Sequence, residues 1–192
     1  MKHLVAILLF SLLVVAGQAQ TKKYDIKSGI VTFETTMKMG SMTVAGKAIL
    51  YFDDYGMKEC KDTYKDGKLA ESYFSDGKTL YKVIHKDKTA YKSGDAFRGT
   101  EFKFDWNEVS NKDKKAGKAK LVPDMTVAGK VCQAFEHSDR GNTTTFAGWS
   151  GITLLTEMKS RRMTSVSRAV KIEENAKVPA TKFAVPAGYA VK

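Results

Sequence analysis

The sequence predicts a mainly β chain with a few short helices, an α+β protein organised as one strongly curved antiparallel sheet. Three observations carry that expectation. Apolar and polar side chains alternate in short runs from Gly29 to Lys92, the period of half-buried strands. Asp66-Gly67 and Asp76-Gly77 interrupt the runs, and Asp-Gly supplies the positive φ angles of a two-residue primed hairpin turn. Each run follows the last with little chain between them, which describes a meander.

The chain opens with Met1-Lys2-His3, an apolar run from Leu4 to Ala16, and then Gly17-Gln18-Ala19. A basic start, a short apolar stretch and a small-x-small end describe a cleavable export signal. The run is too short for a membrane span, which needs about 20 apolar residues. Residues 1–19 are therefore expected to be a signal peptide, with cleavage after Ala19 and no cysteine beside it to take a lipid anchor. Residues 20–192 are expected to form a single curved-sheet domain, periplasmic or secreted.

Strand one is expected near Ile30–Met39, with Val31, Phe33, Met37 and Met39 on one face. Gly40-Ser41 turns the chain into a second strand, Met42–Asp53, where Met42, Val44, Gly46, Ala48, Leu50 and Phe52 share a side. Ile49 and Tyr51 make its other side partly apolar too, which suits a central strand. Further strands follow at Met57–Lys65, Leu69–Ser75, Thr79–His85 and Thr89–Lys92. Phe102, Phe104 and Trp106 could alternate as a strand, but Asp105 followed by Glu108 spells a capping box and Gly117 a C-terminal stop. That pattern predicts a short helix from Trp106 to Ala116, either a plug on the sheet's open side or a mobile lid.

Met42-Thr43-Val44-Ala45-Gly46-Lys47 recurs letter for letter at Met125–Lys130. One hexapeptide is no solenoid, and the expectation is two similar strand entries. Alternation then aligns Ala48, Leu50 and Phe52 with Val131, Gln133 and Phe135, leaving Cys132 opposite. Strands at Thr143–Phe146, Ile152–Met158 and Thr164–Ile172 complete the set. After Glu173, Pro179, Pro186 and Gly188 fix a non-repetitive tail that Phe183 and Tyr189 can anchor.

The formal charge is +11, yet only five residues are arginine. Lysines scattered over strands and turns read as a solvated face and a guard against edge pairing, not as a nucleic-acid footprint. Anionic lipid headgroups are the better acidic partner for an exported chain. Cys60 and Cys132 are the only cysteines. Outside the cytoplasm they invite a disulfide, worth roughly 4 kcal/mol for so long a loop; the alternative is two buried free thiols.

Chemistry is sparse. His85 and His137 are the histidines left after export, and they have no finger or ribbon spacing with the cysteines. Gly148-Trp149-Ser150-Gly151 approaches a hydrolase elbow, but Ile152 stands where the last glycine belongs. Asp53-Asp54 and Glu173-Glu174 sit in turn-like positions, where carboxylates are solvated rather than tuned. No phosphate-binding loop occurs. The expectation is no enzyme, no cofactor and no metal. What recurs is methionine, at 37, 39, 42, 57, 125, 158 and 163; methionine serves either as core filler or as an adaptable apolar surface.

The stretch Trp149–Glu157, with Val178-Pro179, Phe183, Pro186 and Gly188-Tyr189, resembles a group of uncharacterised exported bacterial domains. They carry a "W…G-I-x-L…E" strand pair and a closing "V-P…F-x-x-P-x-G-Y". Val127–Cys132 is similar to that group's "V-x-G-K-x-C" strand, and Asp76-Gly77 to its hairpin. Such domains resemble in outline the LolA-type lipoprotein carriers, an incomplete β-barrel with helices over its open side and a cavity for acyl chains. The resemblance implies a protein that binds a lipid, acyl chain or other hydrophobic ligand, and that could act as a carrier. It implies a cavity lined by Phe33, Met37, Val44, Leu50, Phe52, Trp106, Phe135, Trp149 and Leu154. Its partners would be a lipid or lipidated protein, with an anionic membrane surface as a further candidate, no nucleic acid, and a monomeric chain. The alternative is a non-catalytic envelope structural or protein-interaction domain.

Overall fold

A computed structural model describes residues 22–95 and 103–192. The signal-like segment, Arg98 and Phe102 lie outside the described residues. Among those described, twelve strands form one sheet. They are β1 (Gly29–Met39), β2 (Met42–Asp53), β3 (Lys58–Lys65), β4 (Lys68–Ser75), β5 (Thr79–Ile84), β6 (Thr89–Asp95), β7 (Ala119–Val127), β8 (Lys130–Asp139), β9 (Asn142–Trp149), β10 (Ile152–Lys159), β11 (Met163–Glu174) and β12 (Ala190–Val191). The spatial order is β12-β6-β5-β4-β3-β2-β1-β11-β10-β9-β8-β7. Every pair is antiparallel except β12 on β6. The sheet is open and curved: β7 and β12 are its two edges and do not pair with each other.

Two meanders thus meet where β1 pairs with β11 over its full length, from Gly29 opposite Glu174 to Met39 opposite Met163. Bulges in the β1–β11 pair near Phe33 and the β9–β10 pair near Leu154 strengthen the coil. The β7 end curls far enough for the Arg168 guanidinium on β11 to donate to the Thr126 carbonyl at 3.5 Å. Val127, Cys132, Ala134, Ala147 and Leu154 fill the larger core at 0% exposure; alanines facing one another on neighbouring strands (Ala134 opposite Ala147) let layers approach closely. Both edges are guarded. Edge strand β7 contains Pro123 and a bulge between Val122 and Met125, and a two-residue β12 covers β6.

Several expectations change here. Asp66 and Gly67 have φ of 52° and 74°, the primed turn expected. Asp76-Gly77 instead belongs to a three-residue loop, where the Asp76 carboxylate accepts from the amides of Lys78 and Thr79 at 2.8 Å. The repeated hexapeptide is not two equivalent strand entries: Met42–Lys47 begins β2, whereas Met125–Lys130 ends β7 and turns at Ala128-Gly129. In β8 the core takes Cys132 and Ala134, while Val131 is 69% exposed.

The helix expected over Trp106–Ala116 is split. Asp105 accepts from the Asn107 amide at 2.9 Å and closes only a 3-10 turn, Trp106–Glu108. Val109 is extended and dips into a cleft, and Ser110 then caps a five-residue α1 (Asn111–Lys115). Val109 is half-buried there, and its extended backbone separates the two short helical turns. Cys60 and Cys132 are both buried free thiols. They belong to different core clusters, so the bridge is not made.

Candidate functional site

Phe135 on β8 lies directly opposite Phe146 on β9, and Phe146 opposite Thr156 on β10. Residues in direct register project from one face, so this row crosses three strands. The Phe135 and Phe146 rings stack with centroids 5.1 Å apart. The segment before α1 closes over them. Lys103 bridges to Ile152, and the Phe104 amide donates to the Gly151 carbonyl at 2.8 Å. That lays the Phe104 ring across Gly148, where any Cβ would come within 2.0 Å of it; only glycine allows this approach. Phe104 and Trp106 reach Phe135 at 5.5 and 5.4 Å between centroids.

Between this segment and the sheet lies a cleft of about 240 Å³, lined chiefly by Phe104, Val109, Phe135, Phe146, Thr153 and Thr156. At its mouth Lys103 pairs with Asp105 at 3.2 Å and Glu108 at 3.4 Å. The hydrogen bond to Asp105 is the first cause holding the Lys103 ammonium above its ordinary range. The Asn107 amide likewise lowers Asp105. The arrangement is an apolar slot with an ionic rim of one ammonium and two carboxylates. It can hold a hydrophobic group, with the Thr153 and Thr156 hydroxyls as polar groups along one wall.

A second cleft, about 300 Å³, lies between β3–β5 and the C-terminal tail. Asp62, 1% exposed, accepts from the Ser72 hydroxyl at 2.5 Å and from the Cys60 thiol at 3.4 Å. Its other oxygen receives Lys182 at 2.5 Å. His85 Nε2 lies 2.8 Å from Ser72 Oγ, and Nδ1 lies 3.0 Å from the Tyr189 hydroxyl. Burial pushes the His85 pKa down, so the neutral ring dominates near neutral pH. Burial, then the Asp62 carboxylate, push the Cys60 thiol far up. For Lys182 burial works against the charge, yet the bond to Asp62 carries its pKa upward. Phe183 and Tyr189 anchor this tail as expected, Phe183 buried with Phe74 and Val83.

The nine residues expected to line a cavity do not gather in one place. Phe135 lines the first cleft and Trp106 leans on it. Phe33, Leu50, Phe52 and Leu154 are packed within the larger core at 4% exposure or less. Trp149 is half-buried at that core's edge, with the Lys130 ammonium 4.2 Å over its ring. Met37 is half-buried toward the β1–β2 turn, and Val44 is 40% exposed. Phe104, Val109 and Phe146 were not among the nine. Their signal was the aromatic density of residues 102–106 set against Phe135 and Phe146. Among the described residues no group of three metal-ligating side chains comes together.

No family model and no curated protein sequence matches this chain. Solved structures do. An uncharacterised conserved protein from Thermus thermophilus superposes with a TM-score of 0.56 at 8% identity, over 86% of this chain and 90% of that one. MucB gives a TM-score of 0.50 at 12% identity, over 86% of this chain but 59% of its own. The LolA superfamily protein NE2245 from Nitrosomonas europaea is also a neighbour, at a TM-score of 0.41 and 9% identity over 84% and 91%; that superposition is too loose to bear inference. At such identities the likeness is one of fold.

Proposed function

We propose that the protein is an exported, non-catalytic binding domain. It takes a hydrophobic group, such as the end of an acyl chain on a lipid or a lipidated protein, into the cleft beneath residues 103–109. The observation that carries this reading is the aromatic slot between Phe104 and the Phe135–Phe146 row. Its 240 Å³ corresponds to about eight water volumes at ~30 Å³ each, enough for a chain end and too little for a whole lipid. Binding there rests on apolar burial at about 25 cal/mol per Å². Residues 1–19 support export by their pattern alone, and residues 20–192 act as one domain and as a monomer in this reading.

The non-catalytic part is supported by the direction of protons in the second cleft. The Ser72 hydroxyl proton is committed to Asp62, so Ser72 accepts from His85 instead of being deprotonated by it.

A second reading, an envelope structural or protein-interaction domain, is favoured by the filled interior around Val127, Cys132 and Leu154. Native mass spectrometry and titration with a fluorescent fatty acid separate the two. The ligand reading expects co-purified lipid or probe binding that weakens about tenfold or more in F135A/F146A. Protein that arrives empty and binds no probe supports the second reading.

A further inference from the structure

The two ends of the sheet differ in chemistry. Following the antiparallel register outward from β1, the β1–β2, β3–β4, β5–β6, β8–β9 and β10–β11 turns fall at one end. The β2–β3 and β4–β5 turns and the end of β11 fall at the other, where Asp53, Asp54, Asp76, Glu173 and Glu174 outnumber Lys58, Lys78 and Lys130. The first end holds Lys65, Lys68, Lys86 and Lys88 against Asp66, Asp87 and Asp139, with Arg140, Arg161, Arg162 and an apolar crest. Met39 lies directly opposite Met42 on β2 and Met163 on β11, so the three project together. Met39 is 47% exposed, Met42 45% and Val44 40%. The face of β1–β2 that packs the core at Val31 and Leu50 thus runs on into solvent.

Beside the crest, three of the protein's five arginines meet. Arg140, Arg161 and Arg162 line one open cleft of about 530 Å³ with Asn142 and Ser160. Ser160 Oγ accepts from the amides of Arg162 and Met163 at 3.4 and 3.1 Å and fixes that turn. Arg140 holds a φ of 49° before Gly141, a position that favours asparagine, aspartate or glycine. Lys88, Ala128 and Ser150 hold the same region of φ in other turns, so what sets this turn apart is the cleft it shares with Arg161 and Arg162. Arg140 meets only Asp139, at 3.7 Å, and no carboxylate pairs with Arg161 or Arg162 among the described residues.

Exposed soft apolar side chains flanked by three guanidinium groups, of which only that of Arg140 meets a carboxylate among the described residues, are complementary to one surface above others, the headgroup layer of an anionic bilayer. Guanidinium forks match phosphate oxygens in pairs, and methionine adapts to a disordered acyl boundary. We propose that this end of the sheet docks the protein on an anionic phospholipid bilayer. Met39 and Met42 enter the headgroup layer, and Arg140, Arg161 and Arg162 lie against phosphates. This surface is separate from the aromatic cleft and does not depend on what that cleft holds.

The test is cosedimentation of the purified protein with vesicles of phosphatidylcholine alone or mixed with phosphatidylglycerol. Binding is expected only with phosphatidylglycerol, weakening as salt rises. R161Q/R162Q should lower partitioning about tenfold or more, and R140Q less. M39S/M42S should weaken binding while keeping its salt dependence. K58Q/K78Q removes the same charge from the opposite end and should change partitioning less than about twofold. No binding to phosphatidylglycerol vesicles overturns the proposal, and so does an equal loss in K58Q/K78Q. Displacement by dilute inorganic phosphate also overturns it, by pointing to a small-anion site.

Discussion

The imidazole of His85 donates to the hydroxyl of Ser72 across 2.8 Å, because that hydroxyl has already given its proton to Asp62. With Nε2 protonated in the neutral ring, Nδ1 is the acceptor for Tyr189. The relay runs from Tyr189 through His85 and Ser72 to Asp62, where Lys182 balances the charge. It ties the C-terminal tail to β3–β5.

Ser72→Ala should cost about 1–3 kcal/mol in urea unfolding, since it strands the His85 donor and part of Asp62. A fluorophosphonate reagent should leave Ser72 unlabelled; labelling there would reverse the direction of its proton.

Stability should fall as pH drops below about 6.5, the ordinary histidine value. The His85 pKa is lowered in the folded chain by burial, so the unfolded chain binds the proton first. The contribution is full above the unfolded value and is lost as pH falls through the folded one. Comparing urea midpoints of wild type and H85Q between pH 8 and 5 checks this: H85Q should show a shallower decline, and parallel curves would count against it.

Both thiols should be unreactive in the native state, Cys60 most of all, because burial and Asp62 disfavour its thiolate. Alkylation without reductant should add two adducts after unfolding and none quickly before. An intact mass with no adduct after unfolding would restore the disulfide.

Gly148→Ala should push the Phe104 ring off the sheet and destabilise by about 1–3 kcal/mol. Hydrogen exchange should rise at residues 103–109, and Trp106 emission should shift, because its neighbour Phe135 loses a ring contact. Unchanged exchange there would mean that the segment is held by something other than this approach.

Much of the fold was legible because strand alternation and turn residues are local signals. The expected second strand coincides with β2 at both ends, and β1, β4, β5 and β10 are displaced by a residue at one end or the other. What failed depended on distant partners. The same six residues form strand at 42–47 and strand-plus-turn at 125–130, because register with neighbours decides which residues bend. Cys132 faces inward because Ala134 and Ala147 admit a close layer, which the spacing around it does not encode. The aromatic slot was half legible: Trp106 and Phe135 were expected at an apolar site, but that Phe104 sits on Gly148 follows only from the β9–β10 turn.

β1 lies between β2, its immediate successor, and β11, the last long strand to be made. A chain delivered amino terminus first can zip β1 to β2 at once, yet the far side of β1 waits bare until Met163–Glu174 has emerged. That seam is the slowest contact to close, since the intervening loop must be gathered first. During the wait, a row of unpaired amides and carbonyls is offered to any passing strand. Folding of this chain therefore carries a window of vulnerability set by topology, and a helper that shields an open strand during that interval would act on β1.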